Sequence, residues 1–133
     1  MAYKLAVEGA AIKALPHEEH WFEIIAPAPR YEQVPDLSDP DKKKEKLIMN
    51  VKIKGNMTAE YYPNLTSARF MANRNGTGLE IDDLKKWIGS KFMWGSIVKQ
   101  NVGGNMKDVL YVTHKISGAK EAADLAKSLT EVA

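Results

Sequence analysis

The chain has 133 residues, the length of one domain and enough to bury a core of its own. It has no cysteine, which excludes disulfides, thiolate chemistry and cysteine-based zinc sites; 44% hydrophobic and 27% charged residues are ordinary for a globular domain. A net charge of +2 is too small to select an anionic partner, so any such argument must come from how the charges are distributed.

Residues 1–16, MAYKLAVEGAAIKALP, have the outline of a signal peptide, but Glu8 and Lys13 interrupt the apolar run. No segment approaches the ~18 consecutive apolar residues of a membrane-spanning helix. The expectation is a cytoplasmic protein with no membrane partner. The Asn-x-Ser/Thr triplets at Asn56, Asn64 and Asn75 then have no meaning as glycosylation sites. Leu5, Ile12 and Leu15 line one side of a short helix stopped by Pro16; the segment reads equally as a docked helix or a loose arm.

Residues 21–25, WFEII, predict a strand, with Pro27 and Pro29 placing it at an edge or bending it. Residues 35–46, PDLSDPDKKKEK, read as a polar loop of turn formers and charges. Residues 47–54 alternate: Leu47, Met49, Val51 and Ile53 point to a core, while Lys52 and Lys54 point outward. Gly55-Asn56 turns the chain into a third strand, 57–62, ended by Pro63. Asn64 then sits as the N-cap of a helix carrying Leu65, Ala68, Met71 and Ala72 at helical spacing. A second short helix has Ile81, Leu84 and Ile88 in phase and Gly89 as its stop, and Trp87 at its end is expected in the core. Strands follow at 91–102 and 108–116, joined by a Gly103-Gly104-Asn105 turn, with Val98, Leu110 and Val112 expected inside and Lys99 outside. Residues 119–133 form an amphipathic helix with Ala122, Leu125, Leu129 and Val132 on one face.

Three strands, helix, two strands is the order of a five-stranded antiparallel OB-like barrel, with its helix between strands three and four. The expected fold is therefore mainly β with helices. It is a single domain over 1–133, comprising an N-terminal arm or helix at 1–19, a barrel at 20–117 and a C-terminal helix at 118–133.

Asn64, the Trp87-Ile88-Gly89 stop and the Asn101-Val102-Gly103-Gly104 turn carry a resemblance across roughly residues 45–115. In these features the chain resembles small OB-like proteins of phages, prophages and archaeal mobile elements. The resemblance implies the barrel and single-stranded nucleic-acid handling.

The residues suggest the same chemistry. Lys52, Lys54, Arg69, Arg74, Lys91, Lys99 and Lys107 are placed to give a barrel face positive charge along a phosphate backbone. Lys115 lies beside the last strand. Exposed rings stack bases, and Tyr62, Trp94 and Tyr111 are the candidates paired with those cations. In Trp21-Phe22 and Tyr61-Tyr62 one ring of each pair must leave the core. The competing reading of the lysines is a solvated face that protects a sheet edge. OB-folds bind with the face of strands two and three and the loops joining strands one–two and four–five, here 35–46 and 103–107. In the first of these, Asp36, Asp39 and Asp41 offset Lys42, Lys43, Lys44 and Lys46.

His17-Glu18-Glu19-His20 lacks the spacing and the third ligand of a zinc site. The glycines of NRNGTG and NVGGN match no phosphate-binding loop, and no nucleophile–base set is legible. The expectation is a non-enzymatic, sequence-tolerant single-stranded DNA-binding protein, without cofactor or metal, able to form a homo-oligomer. The alternative is a protein–protein interaction or structural module built on the same barrel.

Overall fold

A computed structural model of the chain describes residues 5–6, 9–36, 39–53 and 57–131. The chain folds into β1 (Leu5–Ala6), α1 (Gly9–Lys13), a 3-10 turn (His17–Glu19), β2 (Trp21–Asp36), β3 (Asp39–Ile53) and β4 (Met57–Tyr61). Helices α2 (Leu65–Arg74) and α3 (Ile81–Leu84) follow, and a 3-10 turn (Lys85–Trp87) extends α3. Strands β5 (Lys91–Val102) and β6 (Asn105–Ile116) and helix α4 (Ala119–Glu131) complete it. The strands form one six-stranded, mainly antiparallel sheet in the order β1-β4-β3-β2-β5-β6, with only β1 and β4 parallel.

Alternation builds one side of this sheet. Leu47, Met49 and Val51 of β3 are buried with Ala59 and Tyr61 of β4, Phe22 and Ile24 of β2, and Leu110 and Val112 of β6. Ile53 is only half-buried. Ala68, Met71 and Ala72 of α2 and the fully buried Trp87 cover this cluster. Asn64 caps α2 by accepting from the Ser67 N–H at 2.8 Å. The Ser67 hydroxyl in turn accepts from the Val112 N–H at 3.0 Å, tying the helix to β6. Trp87 donates its indole N–H to Thr77 Oγ1 at 2.6 Å, and Gly89 leaves the turn at a φ of +91°. On the other side of the sheet, Ala122, Leu125 and Ala126 of α4 pack on Met93, Ile116 and Trp21. Leu129 and Val132 lie outside the described side chains.

Two expectations about the strands are corrected, and a third is narrowed to one of its alternatives. Residues 35–46 are not a loop: β2 and β3 pair through Glu32↔Lys46, Gln33↔Glu45, Val34↔Lys44 and Pro35↔Lys43. Residues 41–45 are all exposed, so this hairpin arm runs clear of the core and carries no apolar alternation. Of the two alternatives for the 21–25 strand, the edge is excluded, since β2 lies between β3 and β5, and the irregularity holds: Pro27 and Pro29 sit in the interruption of the β2–β3 ladder between Ile25 and Arg30. Val98 is 41% exposed, because the β5–β6 register shifts between Met93 and Ser96 and breaks the alternation. A Cβ on Gly95 in that bulge would fall 1.9 Å from Thr113 Oγ1, so the two strands need a glycine there.

The N-terminal segment is docked rather than loose. Leu5 and Ala6 pair with Ala59 and Glu60 on the free edge of β4, and Ile12 is buried in the main cluster. Gly9 presses on β6 so closely that a Cβ there would fall 1.8 Å from the Asp108 carbonyl oxygen. Residues 5–6 thereby touch β4 and residues 9–13 touch β6, two strands that share no ladder among the described residues.

Candidate nucleic-acid interface

Two hairpins leave the body of the sheet: the β2–β3 arm and the β5–β6 hairpin, which turns at Gly103 and Gly104 with φ of +60° and +87°. A cleft of about 640 Å³ is lined by Lys46 at the base of the arm and by Gln100, Met106, Lys107 and Tyr111 of the other hairpin. Tyr62, Asn64 and Thr66, at the start of α2, line it as well. Tyr61 and Leu110, both buried, and Gly9 contribute to its walls.

Hydrogen bonds fix several of these side chains. Gln100 donates its amide to the Tyr111 hydroxyl, holding the half-buried ring against β5. Asn64 uses its carbonyl oxygen on the Ser67 N–H, which leaves its NH₂ group for other acceptors. Tyr62 is 38% exposed while its neighbour Tyr61 is buried, as strand alternation requires. The Tyr61 hydroxyl has no hydrogen-bond partner, and neither does the buried indole N–H of Trp94. Burial pushes the Tyr61 hydroxyl up to about 12, against the opposing pull of the nearby Trp94 and Ser67 side chains.

The charges of the cleft are unequal. Lys107 is exposed. Lys46 is half-buried; burial pushes its ammonium below the ordinary lysine range, and the charge of Lys44 adds to the effect. The carboxylate of Asp108 also lines the cleft, with the Lys13 ammonium 3.8 Å away.

Of the expected binding residues, the cleft gathers Tyr62, Lys107 and Tyr111. Trp94 is not among them: it is 1% exposed, stacked on Phe22 with ring centroids 4.4 Å apart, and its ring has no free face for a base. Lys52 is about 20 Å along β3 from Lys46, given the strand rise. Its Nζ lies 3.7 Å from Glu23 Oε1. Glu23 stands in register between Lys52 and Lys91 across three strands, and its carboxylate offsets the charge of Lys52. Arg69 is exposed on α2, and Arg74 lies over the Phe70 ring at 4.9 Å. Lys99 is exposed on β5, opposite Asp108 in the register. Lys54 lies outside the described residues.

Asn64, Thr66 and Gln100 were not among the expected binding residues, while Lys46 and Met106 fall within the expected binding segments 35–46 and 103–107 without having been singled out as contacts. A longer strand would have placed Lys46 on the side of β3 that carries Lys52, although Ile48 and Asn50 between them, expected outside, are buried. His17 and His20 lie with ring centroids 4.9 Å apart, and His20 Nε2 is 2.8 Å from the Leu15 carbonyl oxygen, a contact inside the N-terminal fold. No group of three or more metal-binding side chains occurs among the described residues. None of their helices is long and apolar enough to cross a membrane.

Comparison with protein-family models, with curated proteins and with solved structures gave no match.

Proposed function

We propose that the chain is a sequence-tolerant, non-enzymatic single-stranded nucleic-acid binding protein built on an opened OB-like barrel, of the kind found in mobile elements. The observation that carries the reading is the cleft. It lies between two hairpins and brings two aromatic rings, Tyr62 and Tyr111, together with two lysines, Lys46 and Lys107. Rings supply stacking that every base can use, and lysines supply attraction to the backbone, so neither demands a sequence.

The strand order supports the barrel. Setting β1 aside, the order β4-β3-β2-β5-β6 puts the first long strand between the second and the fourth. The third and fifth are then left at the two edges, which is an OB-like barrel opened along one seam. The cleft falls at that seam, between the β2–β3 and β5–β6 hairpins, where OB-folds take oligonucleotides. Ala122, Leu125 and Ala126 of α4 pack on Met93, Ile116 and Trp21, so the described part of its apolar face is occupied within the chain, which weakens one argument for a protein–protein module.

A salt-titrated gel shift with single-stranded and duplex oligonucleotides tests the reading. The expected result is single-strand binding that weakens with salt. Tyr62→Ala should lose about 1–3 kcal/mol of affinity through lost stacking while leaving the salt slope unchanged. Failure of the parent protein to bind at low salt, alongside a defined oligomer, would transfer the case to the protein–protein module.

A further inference from the structure

The cleft ends at Lys46, but the strand that carries Lys46 does not. β3 continues outward to Asp39, and residues 41–45 are exposed. We propose that a nucleic-acid strand seated in the cleft continues along the cleft-side face of the β2–β3 arm, with Lys46 and Lys44 each holding one of two successive phosphates. This inference rests on the nucleic-acid reading of the cleft.

The argument is geometric. Side chains two apart on a strand project to the same side and are spaced about 6.7 Å. That spacing is close to the reach of one nucleotide in an extended, unstacked strand. Lys46 lines the cleft, so Lys44 takes the next place on the same side. The depression of Lys46 by the charge of Lys44 agrees that the two ammonium groups are neighbours. A phosphate at each ammonium would relieve that repulsion.

The arm sorts charges that are mixed in sequence. Opposite Lys46 stands Glu32, whose carboxylate is held by the Arg30 guanidinium at 2.8 Å. Arg30 also donates to Asn50 and Glu60 at 2.8 and 3.0 Å, which fixes the guanidinium beneath the arm. Opposite Lys44 stands Val34, which has no charge. The cleft side therefore presents three lysines, Lys42, Lys44 and Lys46, with the facing carboxylate of Glu32 already neutralised. The reverse side carries Lys43 together with Glu45, so its charges offset one another. Sequence inspection sees only a run of mixed charge, whereas the hairpin register divides it into a basic face and a balanced one.

The test uses the full chain and fluorescence-labelled oligo-dT of two lengths, about 4 and about 16 nucleotides, the limits of OB-fold site sizes. Anisotropy is measured over a range of salt. With the longer probe, Lys44→Gln should flatten the log–log salt slope by about 0.7, the value for one lost contact to a single strand. With the shorter probe, which the cleft alone accommodates, Lys44→Gln should change nothing. Lys46→Gln should flatten the slope for both lengths. Lys43→Gln removes the same charge from the reverse face and should leave both slopes unchanged. Equal losses from Lys43→Gln and Lys44→Gln would mean diffuse attraction and would overturn the phosphate row, as would an unchanged slope for Lys44→Gln on the longer probe. In either case binding by the parent would leave the cleft reading standing. A parent that binds neither probe would overturn both. Circular dichroism of each variant confirms that the exposed substitutions leave the fold intact.

Discussion

Trp87→Ala is the most informative perturbation of the scaffold. Trp87 is fully buried and sits where the 3-10 turn after α3 meets the main cluster. Truncation removes the indole and leaves a cavity that the surrounding strands cannot fill, which costs about 3–5 kcal/mol. The loss also deprives Thr77 Oγ1 of its donor at 2.6 Å, although Thr77 lies in a half-buried turn that water can reach. For a chain of this length about 1 kcal/mol corresponds to roughly 4 °C in Tm, so the midpoint should fall by about 12–20 °C. Trp87→Phe separates the two contributions. It keeps most of the ring volume and loses the hydrogen bond, so it should cost about 1–3 kcal/mol. Differential scanning calorimetry with a matched urea series reads both variants. A Tm for Trp87→Ala within a degree or two of the parent would refute the reasoning, because it would place the ring where solvent replaces its contacts.

Two further outcomes are expected. Gly9→Val places a side chain where a Cβ alone would fall 1.8 Å from the Asp108 carbonyl, so residues 5–13 should lift from β6; the expected cost is about 1–3 kcal/mol, read by urea denaturation. Hydrogen exchange should show the loss of protection concentrated at β1, α1 and β6. For Tyr61, a folded value of about 12 lies above the ordinary tyrosine value of about 10. The stabilisation is therefore fully present below pH ~10 and is lost as pH rises toward 12, amounting to about 2–3 kcal/mol. Tyr61→Phe should remove that alkaline loss, and a parent whose stability tracks that of the variant through this window would show the hydroxyl to be solvated.

The chain made some of this architecture legible and hid the rest for identifiable reasons. Alternation at 47–53 and the Gly-Gly turn at 103–104 revealed β3 and the β5–β6 hairpin because one side of each faces the core. The same logic fails on the β2–β3 arm. Both of its sides face water, so no apolar period marks it, and only the register with residues 32–36 makes it a strand. Trp94, an expected stacking ring, keeps the phase of Phe92 and is buried with it, while the register shift at Gly95 breaks the alternation beyond it and exposes Val98, an expected core residue. Lys52 looked available because its partner, Glu23, lies far away in sequence and becomes its neighbour only when β2 and β3 pair. Tyr62 was legible from Tyr61 beside it, since adjacent residues on a strand cannot share a face. Gln100 was not legible, because its role depends on a ring eleven residues away across a turn.

The docking of residues 5–6 on β4 and 9–13 on β6 has a kinetic consequence. Gly9 and Asp108 lie near opposite ends of the described chain, so this contact closes one of the largest loops the molecule can form. A growing polypeptide emerges from the ribosome with its first segment long before β6 exists. Until then Ile12 has only part of its final surroundings, and Leu5 and Ala6 have one neighbouring strand instead of a completed seam. Long-range contacts of this kind slow folding, because the loop must close before its contacts contribute. Docking of the N-terminal segment is therefore expected as a late event in the folding reaction, with the β2–β3 and β5–β6 hairpins assembled beforehand from contacts close in sequence.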